Sequence, residues 1–420
     1  MAREEKIKEY TEHCLNCKIK PCSNKGCPLS NDIPTFIKLA KEGNIKEAYL
    51  VLVKTTMLGS VCGRICPHEK QCQGSCVRGV KGDPVQIGEI EAYIFDTALQ
   101  NRYNEEIEKT QELQGKRIAV IGSGPAGLNA SAFLARAGAN VTIYEKHKEL
   151  GGLLRHGIPE FRLDKEVLEN TIQQILKLGV HVETQKELGK DIDLQKLGKQ
   201  YDAILIAIGA NIPEKMNIPG EELEGVYGGN RLLENNNHPD YTGKKVAVIG
   251  GGNVAMDCAR TIKHLGAEEV SIIYRRAEEQ MPAEKKEIAD AKKEGIQFLF
   301  QNNIVKILGN NHVEKIECIR TKLVKKEGET REVPVDIENS NYSMDIDYVV
   351  MAVGSKPEKK VLEKLGLELN ECGYIKVDEK YRTSVKSIYA GGDLIGQKAT
   401  VAWAAAAGRK VAESIIEDLR

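Results

Sequence analysis

The sequence has no apolar run approaching the roughly 20 residues that cross a bilayer. Neither charge is in excess: 60 Lys and Arg stand against 61 Asp and Glu, a formal net charge of -1. Nothing electrostatic therefore favours nucleic acid or an anionic membrane as partner. The opening MAREEKIKEY lacks the apolar stretch of an export signal. These absences point to a cytoplasmic protein with no membrane and no nucleic-acid role. At 420 residues one hydrophobic core does not usually suffice, so two or three domains are expected, with room to bury large cofactors.

Cysteine is plentiful but unevenly placed. Of 11 cysteines, eight lie between Cys14 and Cys76. Without an export signal, metal ligation explains them better than disulfides do. The run Cys14, Cys17, Cys22, Cys27-Pro28 has the close thiolate spacing that wraps an iron–sulfur cluster, and Cys62, Cys66, Cys72 and Cys76 form a second set. Zinc competes for C-x2-C pairs, but a zinc ribbon shows two such knuckles and here there is only one. Two [4Fe-4S] clusters are the expectation, with a redox-silent zinc scaffold as the non-enzyme alternative. Cys258, Cys318 and Cys372 are scattered and read as small buried residues. The nucleotide-binding part lacks a C-x-x-C, which argues against a dithiol mechanism of the thioredoxin-reductase kind.

The stretch to about Asn104 carries helical patterns such as IPTFIKLAKEGNIKEAYLVLV, broken at Gly43-Asn44. The charged segment from Asn101 to Lys116 then leads into RIAVIG, a buried parallel strand, so a new domain starts near Gly115. Two similar βαβ units follow, from Lys116 and from Lys244. In the first, Gly122, Gly124 and Gly127 form G-x-G-x-x-G between a strand and a helix. The first glycine permits the tight turn, the second lets a pyrophosphate approach the backbone, and the third packs helix on strand. The next strand ends at Glu145, placed to accept hydrogen bonds from an adenosine ribose.

In the second unit Gly250, Gly252 and Ala255 form G-x-G-x-x-A, and Arg275 stands where the first unit has Glu145. A carboxylate there would repel the 2′-phosphate of NADPH, whereas Arg275 and Arg276 pair with it. The units read as an FAD site followed by an NADPH site; a bare turn and a solvated arginine pair are the plainer readings. The strands YDAILIAIG, DYVVMAVG and SIYAGGD complete an α/β pattern. After the last of them Gly392 and Asp393 precede a helix whose amides would face the flavin, Asp393 holding the ribityl or pyrophosphate region.

The pieces CLNCKIKPCSNKGCP, GRICPHEKQCQGSC, IGSGPAG, GGLLRHGIPEFRLDK, GGGNVAMD, YRR and AGGD together resemble the small (β) subunit family of NADPH-dependent glutamate synthase, over essentially the whole chain. Related modules occur in dihydropyrimidine dehydrogenase and in the large subunit of electron-bifurcating NADH-dependent ferredoxin:NADP oxidoreductase. The resemblance implies a helical double-cluster domain over 1–114. A glutathione-reductase-like FAD domain would follow in two parts, 115–225 and 346–420, interrupted by an NADPH domain over 226–345. It implies interleaved ligation: Cys14, Cys17, Cys22 and Cys76 for one [4Fe-4S] cluster, and Cys27, Cys66, Cys72 and Glu91 for the other. Counting thiols alone would recruit Cys62 in place of Glu91, whose plainer reading on the helix IGEIEAYIFDTAL is a solvent-facing carboxylate.

The resemblance also extends the flavin site to Pro125, Ala126, Lys146, Gly152, Leu153 and Arg162, then to Gly209 and to Thr400, Val401 and Ala402. It extends the NADPH site to Asn253, Val254 and Gly354. Three departures stand out: one residue more than expected between Cys22 and Cys27, His156 in place of Tyr, and Asp164 in place of Pro. The activity implied is hydride transfer from NADPH to FAD, set by positioning rather than by a protein acid or base. Single electrons would then pass through the clusters to a partner. In glutamate synthase the partner is the large subunit, which makes L-glutamate from 2-oxoglutarate and glutamine, though another electron-accepting subunit could take its place. The alternative is that the chain is the flavoprotein large subunit of an electron-bifurcating NADH-dependent ferredoxin:NADP oxidoreductase.

Overall fold

The computed structural model describes residues 3–325 and 332–420. The chain forms two compact units, one of Met1–Arg155, Glu160–Ala210 and Pro357–Arg420, the other of His156–Pro159 and Asn211–Lys356.

In the first unit the apolar periodicity of residues 33–53 yields two helices, Ile33–Lys41 and Ile45–Leu52. They break at Gly43, whose φ of +80° lets the chain reverse. The helices Gly59–Ile65 and Ile87–Gln100 touch backbone to backbone: a Cβ on Gly63 would lie 2.6 Å from the Gly88 carbonyl oxygen. That approach brings Cys62 beside Glu91.

Five parallel strands follow, in the order Ile388–Ala390, Ala203–Ile206, Arg117–Ile121, Asn140–Glu145 and His181–Thr184. The apolar runs of Ile388–Ala390, Ala203–Ile206 and Arg117–Ile121 are buried on both faces, as parallel strands covered on both sides require, while the edge strand His181–Thr184 is not. The helix Pro125–Arg136 lies against the alanine-rich helix Val401–Leu419 so closely that a Cβ on Gly408 would meet the Ala126 carbonyl oxygen at 2.1 Å. Small side chains make this contact possible.

The cysteine-rich region is not set apart from this sheet at residue 114. The Asn129 side chain accepts from Met57 N at 2.9 Å and donates to Ala405 O at 2.8 Å. Arg136 Nη1 donates to Val53 O at 2.5 Å, and Thr110 N to Arg136 O at 2.7 Å. These bonds tie the helical region and the charged segment before Lys116 to the helix of the first glycine turn, within one compact unit.

Asp164, the departure from proline, caps the helix Lys165–Leu176: its side chain accepts from Glu166 N at 2.7 Å. Asp164→Ala is expected to cost about 1 kcal/mol of stability, read as a lowered urea midpoint with an unchanged slope.

The second unit holds a five-stranded parallel sheet in the order Val226–Gly228, Tyr348–Met351, Lys245–Ile249, Glu269–Tyr274 and Gln297–Phe300. Antiparallel strands Asn302–Leu308, Lys315–Val324, Val333–Asp336 and Tyr342–Asp345 complete it. The expected limits of 226 and 345 are therefore too narrow. Tyr348–Met351 sits inside this sheet, and Ile212–Pro213 pairs with Ser355–Lys356, closing both crossing strands within the unit.

Candidate functional site

The first glycine turn follows its strand as the motif demands. Gly122 has φ +103°, and a Cβ there would lie 2.4 Å from the Ala207 carbonyl oxygen; a Cβ on Gly127 would lie 1.9 Å from Gly122 O. Gly124 caps the helix, and a Cβ there would meet nothing within 4 Å. The open position is thus the one where a pyrophosphate would approach, at the amides of Ala126 and Gly127 in the helix's first turn. Gly152, one residue before Leu153, closes on the turn: its Cβ would be 2.9 Å from Gly124 Cα. Gly392 packs on Ala126 from the far end of the chain.

Glu145 is buried at the strand end. It accepts from Ser123 N at 3.0 Å, from Ser123 Oγ at 2.5 Å and from His147 N at 2.9 Å. Ser123 Oγ in turn accepts from Gly151 N at 3.0 Å. The sequence reading missed this serine, although its place inside the glycine motif marks it. Lys146 is exposed beside Glu145, and Arg162 is half-buried. Gly209 follows the strand Ala203–Ile206, whose next residues, Ala207 and Ile208, abut Gly122.

Asp393 Oδ1 is buried without a hydrogen-bond partner, and burial pushes its carboxyl up to about 7. An orphaned acceptor beside a glycine turn suits a ligand hydroxyl. The unfolded chain ionises this carboxyl near its ordinary value of about 4. The resulting penalty on folding is absent below that pH and grows as pH rises through about 7. Flavin-depleted protein should therefore lose stability from about pH 4 to 7, and Asp393→Asn should flatten that slope in urea unfolding at several pH values.

Thr400 caps the C-terminal helix, with its side chain facing Trp403 N, and Val401 and Ala402 form the first turn. Gln71 Nε2 donates to Thr400 Oγ1 at 3.3 Å, tying the segment that holds Cys72 to this helix start.

In the second unit Gly250 has φ +136°, and its Cβ would lie 2.3 Å from Ala352 O. Gly252 is open and caps the helix that begins Asn253-Val254-Ala255. Asn253 Oδ1 accepts from Glu284 N at 3.0 Å. Gly354 follows the strand Tyr348–Met351, its Cβ position 2.6 Å from Glu214 Oε2. Arg275 and Arg276 lie just past the strand Glu269–Tyr274, exposed and half-buried. Their carbonyls are held by Thr321 Oγ1 at 2.8 Å and Gln301 N at 3.1 Å, which fixes the backbone under two cationic side chains.

The cysteines gather in two groups. Cys14, Cys17, Cys22 and Cys76 line one concavity of about 350 Å³, its solvent mouth included. Burial raises the Cys14 and Cys22 thiols, as does repulsion from Cys76. In the deeper group burial and neighbouring Glu91 push Cys27 up to about 12, and burial and Cys27 raise Cys72. Glu91 is buried rather than solvent-facing. Burial pushes it up to about 8 against a hydrogen bond from Asn31 Nδ2 at 3.1 Å. Asn31 gave no signal in the sequence, standing 60 residues away. Buried acids this crowded cannot all ionise unless a cationic centre compensates them, and iron supplies such a centre. Cys62 also borders the deeper group, engaged in a hydrogen bond with Cys66.

The extra residue between Cys22 and Cys27 is absorbed in a π-helical turn, Cys22–Gly26, closed by Cys27 N donating to Cys22 O at 2.8 Å. Cys258 and Cys318 are buried as expected. Cys372 is not: it lies exposed in a turn whose amide is held by Asn370.

Residues 116–408 match the family model for pyridine nucleotide-disulphide oxidoreductase, and residues 1–103 match dihydropyrimidine dehydrogenase domain II, 4Fe-4S cluster. The glutamate synthase [NADPH] small chain of Halomonas elongata is 37% identical over 97% of this chain and 89% of its own length. The chain belongs to the glutamate synthase small-chain family. The second family model replaces the zinc-scaffold alternative with a 4Fe-4S domain.

The putative oxidoreductase AegA of Escherichia coli is 36% identical over 99% of this chain but 66% of its own length. Among solved structures, FprA of Mycobacterium tuberculosis in complex with NADPH superposes with a TM-score of 0.64 at 22% identity, covering 72% of this chain and 84% of that one. That likeness shows the shared two-nucleotide fold. No helix among the described residues is long and apolar enough to cross a membrane.

Proposed function

We propose that this chain, a small-chain-type NADPH-dependent FAD iron–sulfur oxidoreductase, delivers electrons from NADPH one at a time to a partner protein, the glutamate synthase large subunit. The observation that carries this reading is the contrast between the two glycine turns, Glu145 beside the first and Arg275–Arg276 beside the second, in a chain with two gathered thiol groups.

Gly122, Gly124, Gly127, Gly152 and Glu145 would hold FAD, with Gly392, Asp393 and the helix start at Thr400 on its other side. Gly250, Gly252, Asn253 and the two arginines would hold NADPH. The outer thiols Cys14, Cys17, Cys22 and Cys76 would ligate one cluster, and Cys27, Cys66, Cys72 and Glu91 the other. When bound, flavin accepts an electron pair from reduced pyridine nucleotide and releases electrons singly to iron–sulfur centres. The chain's own residues position these groups and keep water out; no side chain is needed as a general acid.

Anaerobically purified protein should carry flavin and about eight irons, as two cubane clusters require. NADPH should bleach the flavin, and NADH should do so far less well. Flavin without iron would overturn the cluster reading, and equal response to NADH would overturn the arginine assignment. A second reading, delivery to a different acceptor in the cytoplasm, is favoured by AegA, in which a chain of this kind forms only part of a longer protein. Co-purification of the large subunit separates the two.

A further inference from the structure

The concavity of the outer thiols opens among apolar side chains that nothing covers. Leu15 is 58% exposed and Val77 42%, and both line it. Ile19 and Val80, in the same two cysteine-bearing loops, are 76% and 79% exposed. Exposed large apolar side chains are otherwise scattered singly over the described residues; these four lie in residues 15–19 and 77–80. Exposed apolar groups gathered at one place mark an interaction site.

The charge around them is one-sided. Across the whole chain basic and acidic residues nearly cancel. Residues 12–27 and 68–83, however, contain Lys18, Lys20, Lys25, Lys70, Arg78 and Lys81 against Glu12, Glu69 and Asp83, and Glu12 is already paired with Lys41. Lys20 is paired with Asp32. Lys18, Lys25, Arg78 and Lys81 are exposed and lie in no ion pair among the described residues. An apolar centre with a cationic rim at the shallower thiol group complements a protein face with an apolar centre and an acidic rim.

We infer that the Leu15, Ile19, Val77 and Val80 patch is the docking face for the electron-accepting partner, and that the partner presents an acid-rimmed apolar surface to it. The inference rests on the electron-delivery reading above. For each NADPH oxidised to NADP+ with release of a proton, two one-electron acceptors would be reduced at this face.

A plant-type ferredoxin, an acidic one-electron protein, serves as probe, with cytochrome c, a basic one, as its counterpart. Binding of each to the purified holoprotein is measured by calorimetry without NADPH. Reduction of each, and of a neutral benzoquinone, is then followed with NADPH. Ferredoxin should bind, and added salt should weaken it. Lys18→Glu with Lys81→Glu should weaken ferredoxin binding at least about 10-fold and strengthen cytochrome c, the sign reversal expected of complementary fields. Ile19→Glu with Val80→Glu should weaken ferredoxin binding, while quinone reduction and iron content stay unchanged in both variants.

Ferredoxin binding that neither double variant alters would overturn the inference. So would an Ile19→Glu/Val80→Glu variant that turns a dimer into a monomer on size exclusion, or one that releases the protein from anionic vesicles; the face would then belong to a second copy or to lipid. A wild-type protein that binds ferredoxin but cannot pass electrons from NADPH to the quinone would instead sink the electron-delivery reading and leave the docking face standing.

Discussion

Glu91→Ala protein should purify with about four irons per chain instead of about eight, whereas Cys62→Ala protein should keep about eight. The reason lies in what each side chain faces. Glu91 is buried with Cys27 and Cys72 and has one neutral hydrogen-bond donor, Asn31. Burial alone holds its proton up to about pH 8, so as a free carboxyl it is a liability to the fold. Removing a liability does not unfold a protein, so apo Glu91→Ala should be no less stable than apo wild type, and the loss of iron can be read as loss of a ligand. Cys62 already has Cys66 as hydrogen-bond partner and sits inside a helix that packs tightly on its neighbour. Iron and sulfide analysis with low-temperature EPR of the reduced protein checks both variants. Full iron in Glu91→Ala together with half in Cys62→Ala would exchange their roles.

Arg275→Ser with Arg276→Ser should reduce the preference for NADPH over NADH about 100-fold, roughly 2.7 kcal/mol of lost discrimination. Charge-assisted bonds to a phosphate contribute about 1.5–3 kcal/mol each, but Arg275 is exposed, so solvent screening places the pair at the low end. The loss should fall on KM for NADPH and leave the rate at saturation unchanged, because these side chains would bind the 2′-phosphate and not the nicotinamide. Steady-state reduction of a quinone with each nucleotide provides the comparison. A fall in the maximal rate with both nucleotides would mean instead that the arginines shape the unit itself.

The glycine turns were legible because their sequence pattern is local. Only Gly127 is demanded by backbone of its own turn; Gly122 and Gly250 are crowded by Ala207 and Ala352, which follow strands far along the chain. The limits of the second unit were not legible. Nothing between residues 345 and 357 announces that Tyr348–Met351 pairs with Lys245–Ile249, since that choice is made by strands about 100 residues away. The same holds for Glu91: helical periodicity places it on a helix but does not say that Asn31 and three cysteines meet it there. Asp164 was read as a mere departure, yet its structural use, capping the next helix through Glu166 N, is a local rule that could have been applied. Cys372 was misread because a lone cysteine was given the burial typical of its type, while its neighbours Asn370 and Gly373 already spelled a turn.

The π-helical turn joining Cys22 to Cys27 has a bearing on assembly. One backbone bond of 2.8 Å fixes a thiol of the outer group relative to a thiol of the deeper one. The two sets of sulfurs are in this sense a single mechanical object. Oxidative damage at the solvent-facing group would reach its inner neighbour as a loosened turn, and repair would have to rebuild the pair together. In air, iron should therefore leave such a chain in one phase, not in two separable ones.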